Sequence, residues 1–134
     1  MSVVIKGRRV GPTTVELVHE SGSVVRTVAP KDNGGDGSAF SPTDLCAASL
    51  GACGCTIMSM FAARHSYPLE GIDFELTKDM SPPPRKIAKI SIAFRISGDL
   101  SDADFAKLVA AGKACPVRLT LGEGVEIDER YERA

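Results

Sequence analysis

From Leu45 to Ala63 the chain carries no charged side chain. The stretch opens with clear helix signals: Ser41 suits the N-cap, Pro42 the first helical position, and Asp44 the third position of a capping-box-like arrangement. The spacing predicts one helix from there to Arg64 or His65. A helix that is apolar on nearly all sides must be buried on nearly all sides. The stretch is long enough to cross a bilayer, but Ser, Thr and Gly dilute it, and a globular core accounts for it better. A chain of 134 residues can hardly wrap such a helix alone, so a second subunit is the natural source of cover.

That length fits one domain, residues 1–134. Lys and Arg number 16 and Asp and Glu 17, for a formal charge of −1, which argues against an electrostatic nucleic-acid footprint. Met1–Val10 holds no uninterrupted apolar core and does not read as a secretory signal. The expected compartment is the cytoplasm, with no membrane partner. The 4 cysteines would there be unbridged, catalytic or metal-binding rather than structural disulfides.

Either side of the helix the pattern is β-rich. Val3–Arg8, Thr13–His19 and Ser23–Ala29 read as short strands, the last two joined by a turn at Glu20-Ser21-Gly22. Lys31–Gly37 is a Gly-rich loop that lacks the Lys-Ser/Thr ending of a phosphate-binding loop, so nucleotide binding is set aside. After the helix, Ile72, Phe74 and Leu76 alternate with Asp73 and Glu75, and Ile90, Ile92, Phe94 and Ile96 with Lys89, Ser91 and Arg95. The acidic outer face of one strand could pair with the basic outer face of the other. Ser81–Pro84 connects the two. Ser101 can cap a second helix over Asp102–Ala114, and Val125–Tyr131 reads as a closing strand. The fold class is α+β.

Two cysteines stand where a thiol gains chemistry. Cys53 lies in the long apolar helix among small residues, Ala47, Ala48, Ser49, Gly51, Ala52 and Gly54, which permit close approach by another element. Cys115 precedes Pro116, a pattern that suits a helix N-cap, where amide dipoles favour a thiolate. A small hydrophobe filling the core is the competing account of each. Cys46 lies seven residues before Cys53 on the same helix face, about 10 Å along the axis and too far for a disulfide. Cys55 points away from Cys53, and both Cys46 and Cys55 read as core-filling. A zinc site from Cys53, Cys55, Cys115 and a histidine is the metal alternative, disfavoured because a helical Cys-x-Cys does not easily chelate one ion. His19 and His65 read as exposed or structural.

Phe40-Ser41-Pro42-Thr43-Asp44-Leu45 running into Ala47–Cys53, then Pro68-Leu69-Glu70-Gly71 and Ala114-Cys115-Pro116-Val117, resembles the OsmC/Ohr family of osmotically induced and organic-hydroperoxide-resistance proteins across nearly the whole chain. The resemblance implies antiparallel sheets wrapped around a long central apolar helix in an intertwined homodimer. It also implies that Cys53 is the peroxide-attacking thiol and Cys115 the resolving thiol. The implied activity is a thiol-dependent peroxidase for oxidative stress defence. It would reduce organic hydroperoxides through sulfenic acid and disulfide, with an external dithiol closing the cycle and with no cofactor or metal.

The pattern departs from the family at one place. Well-understood members set an Arg–Glu pair beside the reactive cysteine, the Glu ten residues before it in Asn-Pro-Glu. Thr43 stands there in this chain, with Asp44 next to it but about 100° away around the helix. These two are the candidate supporting residues. Thr13 or Thr14 falls near the place of the Arg, leaving Arg8, Arg9 and Arg26 as substitutes. A second function class therefore stays open: an OsmC-fold protein that binds a small apolar ligand or a partner without peroxidase turnover.

Overall fold

The structure, a computed structural model, describes residues 1–133. Its contacts gather into two compact units, Met1–Ala48 with Lys78–Ile90, and Ser49–Thr77 with the chain from Ser91 onward. Three strands, β1 (Ile5–Arg9), β2 (Thr14–His19) and β3 (Val24–Val28), form an antiparallel sheet in chain order within the first unit. Glu16 faces Arg26 across β2 and β3, and their side chains pair at 3.0 Å. The Gly-rich loop after β3 turns back on its own chain. A Cβ on Gly35 would stand 1.6 Å from the Ala29 carbonyl oxygen, so the glycine is needed for this close approach.

The long helix α1 spans Pro42–Arg64. Its start is the expected reciprocal box: Asp44 N–H donates to Ser41 Oγ at 3.1 Å, and Ser41 N–H donates to Asp44 Oδ2 at 3.0 Å. Its end is a Schellman arrangement with serine where glycine is usual. Ser66 takes a φ of 56°, Ser66 N–H donates to Ala63 O and Tyr67 N–H donates to Ala62 O, just before Pro68.

Strands β4 (Leu69–Met80) and β5 (Ile87–Gly98) form a two-stranded hairpin. Asp73, Glu75, Lys89 and Arg95 are exposed along it. Among the described residues no ion pair links these four, and the expected acid-to-base pairing of the two outer faces is not formed. Helix α2 (Asp102–Lys113) starts on the expected cap, Ser101 Oγ accepting from Asp104 N–H at 3.1 Å. Helix α3 (Pro116–Glu123) follows at once.

The core of the second unit is Met58, Ala62 and Leu108, with Phe61, Tyr67, Leu69, Ile72, Phe94, Ile96 and Leu100 packed around them. Two glycines of α1 make this packing possible. A Cβ on Gly51 would stand 2.3 Å from the Phe74 ring, and one on Gly54 2.7 Å from the Phe94 ring. The two rings are 5.9 Å apart between centroids, in a tilted pair.

Only one stripe of α1 is buried within the chain: Ala47, Gly51, Gly54, Met58 and Ala62, at helical spacing. Ala52, Thr56, Ser59, Met60 and Ala63 are exposed. The hydroxyls on that face turn inward to their own backbone, Thr56 Oγ1 to Ala52 O at 2.8 Å and Ser59 Oγ to Cys55 O at 2.7 Å. Cys46, expected in the core, is exposed because it too lies off the buried stripe. Val125–Tyr131 does not form the expected strand. Its residues are exposed and lack the neighbouring strand that an extended segment requires for its ladder.

Candidate functional site

Helix α3 begins where two sulfurs meet. Cys115 is its N-cap, in extended backbone at φ −68° and ψ 146°, and its Sγ accepts the Arg118 N–H at 3.4 Å. Sulfur thus fills the place that a serine or aspartate oxygen usually takes. Pro116 at the first helical position has no N–H to satisfy and brings its φ already set for the helix. The next amide, that of Val117, acts on the Cys53 sulfur and favours its charged form, and Cys115 lies close enough to act on that sulfur as well. The first turn of α3 therefore bears on both thiols.

The two thiols differ in exposure. Cys115 is sealed, at 1% of its full accessible surface, while Cys53 is half-buried. Burial pushes the Cys53 thiol up from its ordinary value. The Val117 N–H opposes this, and the hydrogen bond and nearby charge of Cys115 add to the rise. Among the described residues, no cation acts on Cys53 strongly enough to offset burial. Cys55 is also raised, by burial first and then by the charge of Asp73. The described residues hold no group of three or more His, Cys, Asp or Glu side chains that could bind a metal ion.

Thr43 and Asp44 belong to a polar cluster in the first unit. Lys78 Nζ stands 2.7 Å from Asp44 Oδ1 and donates to Thr43 Oγ1 at 2.8 Å, while the Thr43 and Ser41 hydroxyls are 3.2 Å apart. The Lys78 hydrogen bond, followed by the Ser41 N–H, holds the Asp44 carboxyl below the usual carboxylate range. Both side chains are thus engaged at the start of α1. Of the amino-terminal arginines, Arg26 is paired with Glu16, and Arg9 Nε donates to Pro12 O at 3.5 Å.

Sequence reasoning missed Lys78 and the Val117 amide. Lys78 is 34 positions from Asp44 in a strand, and no local pattern announces the pair. Pro116 announces the helix start, but which sulfur the Val117 amide meets is settled by tertiary packing.

A family model for OsmC-like proteins matches residues 35–130, a span that includes the start of α1, both thiols and α3. A Psychrobacter arcticus structure, provisionally named an osmotic stress induced and detoxification response protein, is 33% identical with a TM-score of 0.81, over 87% of this chain and 85% of that one. A Legionella pneumophila structure, named an organic hydroperoxide resistance protein OsmC, is 23% identical with a TM-score of 0.67, over 92% and 90% of the two chains. An Elizabethkingia anophelis organic hydroperoxide resistance protein shares the fold at 15% identity and a TM-score of 0.69, over 92% and 90%. No curated protein matches. Helix α1 passes the length and composition test for a membrane span, yet these relatives share the α+β fold it is built into. With the family model spanning most of the sequence, and a relative one-third identical across nearly all of it, the chain belongs to the OsmC family.

Proposed function

We propose that the protein is a cytoplasmic, thiol-dependent peroxidase that reduces organic hydroperoxides for oxidative stress defence and works as a homodimer. The observation that carries this reading is the nearness of Cys53 and Cys115 at the start of α3, where the Cys115 sulfur caps the helix. Relatives named for organic hydroperoxide resistance support the substrate class.

In this reading the Cys53 thiolate attacks one oxygen of the peroxide. The O–O bond breaks, the other oxygen leaves as alkoxide and takes a proton to become the alcohol, and Cys53 becomes a sulfenic acid. The Cys115 sulfur then attacks Cys53. A disulfide forms and water leaves. An external dithiol reduces the disulfide, becoming a disulfide itself and returning both protein thiols. Thr43 and Asp44 support the start of the helix that carries Cys53.

Dimerisation supplies the cover that α1 lacks. Its exposed face is small and apolar, and its hydroxyls are already satisfied, so a second copy of the helix can pack there without unpaired donors.

A second reading, an OsmC-fold protein that binds an apolar ligand or partner without turnover, is favoured by one observation: burial raises the Cys53 thiol, which disfavours the thiolate. Thiol titration before and after one equivalent of cumene hydroperoxide separates the two. Loss of two thiols per chain, with continued peroxide consumption once a dithiol is added, is the expected result. Four thiols left intact after prolonged exposure would exclude the peroxidase.

A further inference from the structure

Reduction of the disulfide raises a problem of access. An external dithiol must reach a sulfur of the pair, yet Cys115 is almost wholly sealed and Cys53 is half-buried. We propose that Cys115 couples the oxidation state of the thiol pair to the folding of α3: closing the Cys53–Cys115 disulfide removes the cap of α3, its first turn opens, and the disulfide is uncovered for its reductant. The inference rests on the two-thiol reading above and adds to it a conformational step.

The first element of the coupling is the double use of one atom. Cys115 Sγ is both the cap that accepts the Arg118 N–H and a near neighbour that acts on the Cys53 sulfur. Joining the sulfurs shortens their contact to about 2 Å and fixes the dihedral about the new bond. Cys115 Sγ is drawn toward Cys53 and off the Arg118 amide. As a disulfide sulfur it also loses any access to the charged form that favours capping. The same closure moves the Cys53 sulfur relative to the Val117 amide that acts on it. The Arg118 amide thus loses its partner in the same chemical event.

The second element is how little else holds α3. It has eight residues, none buried. A helix this short is marginal without packing. Thr120 and Gly122 within it are poor helix formers, and Gly124 and the exposed residues after it offer no anchor. By contrast α2, just before it, keeps its own serine cap and buries Leu108 completely. Opening is therefore confined to the element that the sulfur caps. Re-reduction restores the cap and seals Cys115 again.

Amide hydrogen exchange of the full chain, reduced and after diamide treatment, tests this. Diamide closes the pair without any peroxide: two thiols give up two electrons and two protons, the S–S bond forms, and the N=N bond of diamide becomes a hydrazine. Exchange across Pro116–Glu123 should rise roughly tenfold in the oxidised protein, the change expected from losing one helix cap. Exchange in β1–β3 should stay constant, and dithiothreitol should reverse the effect. Cys115→Ser, whose hydroxyl still caps but cannot form the disulfide, should show no response to diamide in α3. A Cys53–Cys115 disulfide verified by peptide mapping, with unchanged or slower exchange in α3, overturns the proposal. Failure of diamide to form that disulfide overturns it together with the two-thiol reading. A disulfide that diamide forms and peroxide does not, with faster exchange in α3, removes the peroxidase and leaves the coupling standing.

Discussion

The ammonium of Lys78, on β4, lies 2.7 Å from the carboxylate of Asp44 in the first turn of α1. The same ammonium reaches the Thr43 hydroxyl, and Asp44 also accepts the Ser41 N–H. One carboxylate therefore fastens a helix N-terminus to a strand distant in sequence.

This pair gives the fold an acid-sensitive contact. The Asp44 carboxyl is held below its ordinary value, so its contribution to stability is complete above the unfolded value of about 3.9 and is lost as pH falls through the lower folded value. Asp44→Asn should lower the urea midpoint at pH 7, and the gap to the parent should narrow as pH falls below about 4. A gap of constant size down to pH 2 would mean that the charge of Asp44 contributes nothing. Ser41→Ala, which removes the hydroxyl half of the box, should cost about 1 kcal/mol.

The glycines under the aromatic rings set a steric limit. Gly51→Ala places a methyl where the Phe74 ring stands, and the ring or the helix must move. Such overpacking costs about 1–3 kcal/mol. Adding Phe74→Leu should recover part of the loss, because the ring is the obstacle. Calorimetry on the single and double variants measures this, and strict additivity of the two losses would contradict the contact.

The thiols should respond asymmetrically to organic peroxide. Cys53→Ser is expected to abolish oxidation. Cys115→Ser should still let Cys53 react, but to a sulfenic acid that overoxidises with excess peroxide. Non-reducing peptide mapping reads both outcomes. A peroxide-induced disulfide through Cys46 or Cys55 would reassign the chemistry.

Because burial raises the Cys53 thiol, its alkylation by iodoacetamide should keep accelerating at pH values where an ordinary thiol, with a value of about 8.5, is already fully deprotonated and has levelled off. The deprotonated fraction grows with pH, and the raised value moves that growth upward. A plateau already at neutral pH would show that the assembled protein brings a cation to the sulfur.

Met60 is half-exposed on the open face of α1. Met60→Glu should leave the single chain folded, since the charge points to water there, and should shift sedimentation from dimer to monomer by burying a carboxylate in the proposed interface. A variant that sediments as the parent does would place the interface elsewhere.

Local chemistry made much of this fold readable. Ser41, Pro42 and Asp44 spell a helix start, Ser101 another, and Pro116 a third, because capping depends on residues within one turn. Alternation at Ile72–Leu76 and Ile90–Ile96 marks strands for the same reason. Less legible were contacts that only packing decides. The uncharged stretch predicts that α1 needs cover, but not that Gly51 and Gly54 turn toward Phe74 and Phe94 and leave Met60 outside. The Lys78 pair and the Val117 amide on Cys53 lie beyond any local pattern. Val125–Tyr131 has the alternation of a strand, but alternation cannot supply the neighbour that a strand needs.

Thr56 and Ser59 send their hydroxyls back to carbonyls one turn earlier in α1. Their outward chemistry is then that of methyl and methylene groups, although composition counts them as polar. A surface that docks on this face recognises contour rather than a pattern of donors and acceptors. Exchange of either residue for alanine changes the contour of this face little, whereas enlargement to leucine raises it.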